Sequence, residues 1–236
     1  MGKIGWRFPP LLGSTRQGYT NNDIEVFKGQ ELLDNLAREI CQNSLDAKLE
    51  GCNEPVKVVF ELKRIKKGQY PVFAEYGECL EGCRKYWGDE IDTKLDRFLK
   101  GAEDTLKEEK IPVLIASDYN TKGLDGSHSK RKKSSWEALT NSDGISVKTS
   151  ENSAGSYGIG KNAPFACSTL SMVFYNTLAD KNENAFVGVA RLATLFDKEG
   201  RETHRVGKYQ NNDDAKEKWN PIYGASCIIK SVDVEN

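Results

Sequence analysis

Long apolar runs are missing from these 236 residues. A membrane-crossing helix needs about 20 consecutive apolar residues. None is present, and mean hydropathy is −0.61, so no membrane partner is expected. The N-terminus lacks a charged-then-apolar signal segment. It begins Met-Gly, but Trp6 stands where a myristoylation motif needs Ser or Thr. An excess of charge of either sign is also missing. Against 34 Lys+Arg stand 35 Asp+Glu, net −1. Wholesale electrostatic wrapping of nucleic acid is therefore not implied, and local patches stay open. Histidine is scarce, with two residues, His128 and His204. Zinc takes about four ligands, and these two lie far in sequence from Cys79 and Cys83, so a structural zinc is disfavoured. Cys41, Cys52, Cys79, Cys83, Cys167 and Cys227 are scattered, which suits reduced thiols better than a disulfide framework. Repeats and low-complexity tracts are absent. The expectation is a cytoplasmic protein of one large domain or two small ones.

In chain order, residues 1–29 come first and carry Pro9, Pro10, Gly13, Gly18 and an Asn-Asn-Asp run, the punctuation of an irregular arm. Over 30–49 the spacing predicts a helix: Leu33, Leu36, Ile40 and Ala47 recur at helical steps, and Gly51 comes next as a C-terminal cap. Strands are expected at 56–62, from β-branched content, and at 113–116, a short buried run. Between them, 71–109 reads as helical and charged. Strands are expected again at 170–178, 186–196 and 226–232, with a polar excursion over 197–220 as a long connection. Helices early and antiparallel-looking strands late indicate an α+β layer rather than alternating βαβ units.

Three motifs carry chemistry. First, Glu39, Asn43 and Asp46 project from one side of the first helix, beside its apolar stripe. Polar groups there are costly unless something binds them, although alone such a trio is more often a solvated face. Second, Asp118 comes after a buried strand and precedes Asn120, Gly123 and Leu124. An ionised Asp only accepts hydrogen bonds, which suits an exocyclic amino group such as that of adenine. A turn-stabilising Asp is the plainer reading. Third, Gly155, Ser156, Tyr157, Gly158, Ile159, Gly160, Lys161 and Asn162 form a glycine-rich turn able to close backbone N–H groups on phosphate oxygens. A helix to about residue 168, with Pro164 in its first turn, would come after it. This stretch also fits a P-loop except that Asn162 replaces the magnesium-holding hydroxyl. A P-loop is demoted because an irregular stretch leads into the loop, and because the acidic strand precedes it.

Together and in this order, the set resembles the GHKL superfamily of ATPases: gyrase B subunits, ninety-kilodalton heat-shock chaperones, histidine-kinase catalytic domains and MutL-type repair proteins. Glu39, Asn43, Asp46 and Ala47 look like the N-box, and Asp118 to Leu124 like the first glycine box. Gly155 to Gly160 look like the second, closest to the chaperone and microrchidia ATPases. Gly224, Ala225 and Ser226 are similar to the Gly-Thr step that closes the domain. The first box departs from Asp-x-Gly-x-Gly, with Asn120 in place of the first glycine and one extra residue before Gly123. Asn tolerates the left-handed geometry such a turn needs.

The resemblance implies a Bergerat-type two-layer sandwich, with helices on one face of a mixed, mostly antiparallel sheet, formed by residues 30–236. ATP and Mg²⁺ are the implied cofactors. Asn43 would ligate Mg²⁺, Glu39 would be the general base, Asp46 would brace the nucleotide side, and Asp118 would select adenine. The glycine turn to Lys161 would cradle phosphates under a lid at about 124–157. Family members dimerise with ATP and exchange N-terminal arms, for which 1–29 is the candidate. Many complete catalysis with a Lys from a following domain. Here that group would come from elsewhere, so ATP binding is expected ahead of turnover, with a further protein or domain as partner. The alternatives are a nucleotide-gated interaction module with little turnover, and a histidine kinase, which lacks a phosphoacceptor His before Glu39. Lys130, Arg131, Lys132 and Lys133 beside Trp136 are more often a solvated lid than a nucleic-acid contact.

Overall fold

The computed structural model describes residues 3–19, 31–128, 134–141, 160–179, 183–212 and 221–223. The chain is α+β, and every strand pairing among these residues is antiparallel. The main sheet runs in the order β1 (Lys3–Arg7), β8 (Val206–Asn212), β5 (Glu183–Arg191), β4 (Met172–Ala179), with β9 (Ile222–Tyr223) also pairing β5. Two smaller pairs stand beside it: β2 (Lys57–Lys66) with β3 (Lys110–Tyr119), and β6 (Leu195–Phe196) with β7 (Glu202–Thr203).

Alternation along β5 divides the core. Ala185, Val187 and Val189 pack with Trp136 and Phe165. Phe186 and Ala190 join the larger cluster of Tyr76, Leu80, Leu95 and Leu99. Successive strand residues point to opposite faces, so the sheet contributes to a core on each side. The larger cluster belongs to α2 (Pro71–Trp87) and α3 (Thr93–Lys107). Helix α2 opens on Pro71 at a position that needs no N–H donor and ends at Gly88, φ +47°. Helix α3 is capped by Asp92, which accepts from Leu95 N at 2.8 Å. Leu80, Leu95 and Leu99 are at most 1% exposed, each stabilising by about 1.5–3 kcal/mol. Arg84 on α2 ties the pair by binding Asp96 and Glu103 of α3.

Several elements differ from the expectations. Residues 3–7 are not an irregular arm but a strand paired with β8 and at the edge of the sheet among the described residues, with Phe8 and Leu11 buried just beyond it. Helix α1 (Leu32–Asp46) stops before 49, and Gly51, φ +76°, sits in the next turn rather than at the cap. Its stripe is also rotated: Leu32, Leu36 and Ile40 pack on Ala163, Ala166 and Cys167, while Leu33 is 67% exposed. The partner is one short turn with small side chains, which covers a strip one residue wide. The strand at 113–116 extends to ten residues and is largely exposed. The polar excursion at 197–220 contains β7 and β8, and β8 is paired on both sides. The strand expected at 226–232 lies outside the described residues.

Candidate functional site

Helix α1 links the three motif regions. Its middle packs through Leu36 against Ala163. Its C-terminal end runs antiparallel to the turn after β3: Lys122 N donates to Ala47 O at 2.9 Å, Leu49 N donates to Asn120 O at 3.0 Å, and Lys48 pairs with Thr121. Next to these contacts lies the polar side of the helix. Asn43 is exposed, and Glu39 and Asp46 are half-buried. Gln42 Nε2 donates to Asp46 Oδ1 at 3.0 Å, which fixes that carboxylate one turn from Asn43. Ser44 is buried and donates to Ile40 O, closing the packed side.

The turn at 120–124 is held by geometry only some residues allow. Asn120 takes φ +62° and donates through Nδ2 to Pro55 O at 2.8 Å. Gly123 takes φ +66°, and a Cβ there would lie 2.7 Å from Leu178 O and 2.9 Å from Thr177 Oγ1. Only glycine fits. Leu124 N then donates to the same Thr177 hydroxyl at 2.8 Å, fastening the turn to the end of β4. Asp118 is the penultimate residue of β3, opposite Val58, and is exposed.

Of the third motif, Gly155, Ser156, Tyr157, Gly158 and Ile159 lie outside the described residues, as does Ser226. The motif's end forms a 3-10 turn, Gly160–Asn162, and leads into a single helical turn, α5 (Ala163–Ala166), with Pro164 within it. The helix expected to 168 is thus too short to bring an appreciable macrodipole to an anion. Asn162 is 5% exposed, and its Oδ1 accepts from Arg191 Nη1 at 2.6 Å. The Arg191 guanidinium also lies 4.2 Å from the Phe165 ring centroid. Lys161 Nζ lies 3.5 Å from Ala138 O, a long contact that turns the ammonium toward the segment expected to form the lid.

The described parts of the segment expected to form a lid, 124–128 and 134–141, pack onto the sheet. Helix α4 (Ser135–Thr140) is capped by Ser134, which accepts from Glu137 N. Trp136 N donates to Asp125 O at 3.1 Å, and the indole is 1% exposed. His128 stacks on Tyr223 with centroids 3.9 Å apart, and Tyr223 OH donates to Ser127 O.

Three residues near these segments belong to none of the sequence motifs: Thr177, Arg191 and Lys208. Lys208 is 3% exposed beneath α4. Burial pushes its pKa down to about 7, against the upward pull of the Glu137 carboxylate. Only a buried Lys in alternation with Val206 and Gln210 could have signalled it, and that polar run reads as a loop. Cys79 and Cys83, by contrast, behave as ordinary helix thiols. Cys79 Sγ donates to Glu75 O and Cys83 Sγ to Thr194 O, and burial pushes them up to about 12 and about 11. Among the described residues no three His, Cys, Asp or Glu side chains cluster to hold a metal. A cleft of about 290 Å³, lined by Tyr70, Pro71, Phe73 and Leu106, shares no residue with the three motifs.

No protein-family model, curated protein or solved structure matches the chain.

Proposed function

We propose that the chain is a GHKL-type domain that binds Mg²⁺–ATP and hydrolyses it, its nucleotide state governing dimerisation or a partner. The observation that carries this reading is the convergence of two distant segments on α1: the 160–166 turn on its middle and the 120–122 turn at its end. On this reading the layer of α1, α4 and α5 on the main sheet is the Bergerat sandwich, and α2 with α3 is an addition on the other face.

The donor set fits Mg²⁺, which binds through one or two protein oxygens and keeps phosphate and water ligands. The amide oxygen of Asn43, exposed on α1, would be its protein ligand. Bound there, the ion would neutralise charge on the phosphates. Glu39, one turn earlier, takes a proton from the attacking water. Asp46, oriented by Gln42, braces the nucleotide side of the helix. Asp118 accepts from the adenine amino group. The turn of Gly155 to Lys161 supplies N–H donors to the phosphates, and the lid excludes water.

A nucleotide-gated module with little turnover is the second reading, favoured by the Lys161 ammonium, which faces Ala138 O. A P-loop is disfavoured. That motif opens a long helix, whereas α5 has four residues and Asn162 is bonded to Arg191.

The test is paired. Asp118→Asn should abolish ATP binding in calorimetry, because a carboxamide turned to the base loses an acceptor. Glu39→Ala should keep binding and lose hydrolysis by at least about 100-fold. Unchanged affinity in the first variant removes the base contact, and unchanged turnover in the second removes the water-activating role.

A further inference from the structure

Strands β2 and β3 form a ribbon of ten paired residues, and each has only the other as a strand neighbour among the described residues. The middle of one face of this ribbon is apolar and open, with Arg64 and Lys66 beyond it on the same face. Phe60 is 40% exposed, Leu62 75%, and Leu114, directly across from Leu62, 42%. Contiguous exposed apolar surface marks an interaction site.

The two outer edges are unequal. Strand β3 contains Pro112, which has no N–H and blunts an edge against pairing. Strand β2 contains neither Pro nor Gly, so each of its residues keeps a backbone donor. Charge then narrows the occupant. Lys57, Lys63, Arg64 and Lys66 share β2 with one carboxylate, Glu61, whose Oε1 is 3.5 Å from Lys63 Nζ. A second copy paired on this edge would set these cations against their own kind, and like charges facing across strands are destabilising.

We infer that the outer edge of β2 accepts an extended segment of another protein, with apolar residues on one face and Asp or Glu on the other. Main-chain hydrogen bonds supply affinity in such strand addition, and side chains supply specificity. The segment's apolar side chains cover Phe60 and Leu62, and its carboxylates meet Lys57 and Lys63 on the opposite face.

The test uses fluorescence anisotropy with a labelled peptide of alternating Glu and Val, about ten residues long to match β2. A Lys–Val peptide of equal length and a labelled DNA duplex are compared with it. The Glu–Val peptide should bind at least about tenfold tighter than either, and more weakly as salt rises. Amide shifts on binding should concentrate in residues 57–66. Leu62→Glu and Lys57→Glu, both at exposed positions and on opposite faces of β2, should each weaken binding about tenfold with unchanged thermal unfolding. Equal binding of the two peptides, preference for DNA, indifference to both substitutions, or a homodimer whose shifts map to β2 would each overturn the inference.

Discussion

Lys208 shows how one side chain couples burial to pH. Its ammonium sits under α4 at 3% exposure, and its pKa is lowered to about 7 by desolvation. Unfolded, it returns to the ordinary lysine value near 10.4. Between these values the unfolded chain binds the extra proton, so this residue makes stability rise with pH across that window and costs stability below it. Denaturant midpoints should therefore climb less between pH 7 and 9 in Lys208→Met than in the parent chain. Parallel pH slopes for the two proteins would show that the lysine is charged in the fold. Asn120 and Gly123 make the matching point for backbone. Their positive φ values, +62° and +66°, are legible in sequence as residue types that tolerate such turns. That Thr177 fastens the turn is not legible, because the hydroxyl comes from a strand more than fifty residues on.

At the scale of elements, α1 separates periodicity from packing. Leu33 and Leu36 both fit the helical repeat, yet only Leu36 is buried, at 3% against 67%. Leu36→Ala should cost about 2–4 kcal/mol and loosen the contact between α1 and α5, while Leu33→Ala should stay within about 0.5 kcal/mol. Equal losses in chemical denaturation would mean that the helix is rotated from the orientation described. The helical charged stretch at 71–109 was readable because α2 and α3 carry long amphipathic repeats with Pro71 and Asp92 at their starts. Strand β8 was not. Its Lys208 and Gln210 are buried inside the sheet, Lys208 opposite Val189, which packs with Trp136 of α4, and no local pattern records a cover supplied from elsewhere in the chain.

For the whole molecule, the proposed nucleotide link to assembly predicts a change in mass. Mg²⁺ with a non-hydrolysable ATP analogue should double the sedimenting mass of the parent chain and leave Asp118→Asn unchanged. A single mass under all conditions would remove dimerisation from the proposal. Arm exchange would require β1 to leave β8 and the Trp6 indole to leave Val72 O, with both contacts remade in the partner.

The sequence by itself determined the class of the fold, most helices, the spacing of the three polar and glycine motifs, and the absence of a membrane-length apolar run. Those features depend on residue type and short-range period, which the chain carries wherever it folds. Tertiary structure alone decided that 3–7 is a strand beside β8, that β8 lies inside the sheet, and that α1 meets both the 120–122 and 160–166 turns. Each of those outcomes depends on which distant surface arrives to cover a segment, and burial of that kind is a property of pairs of segments rather than of either one.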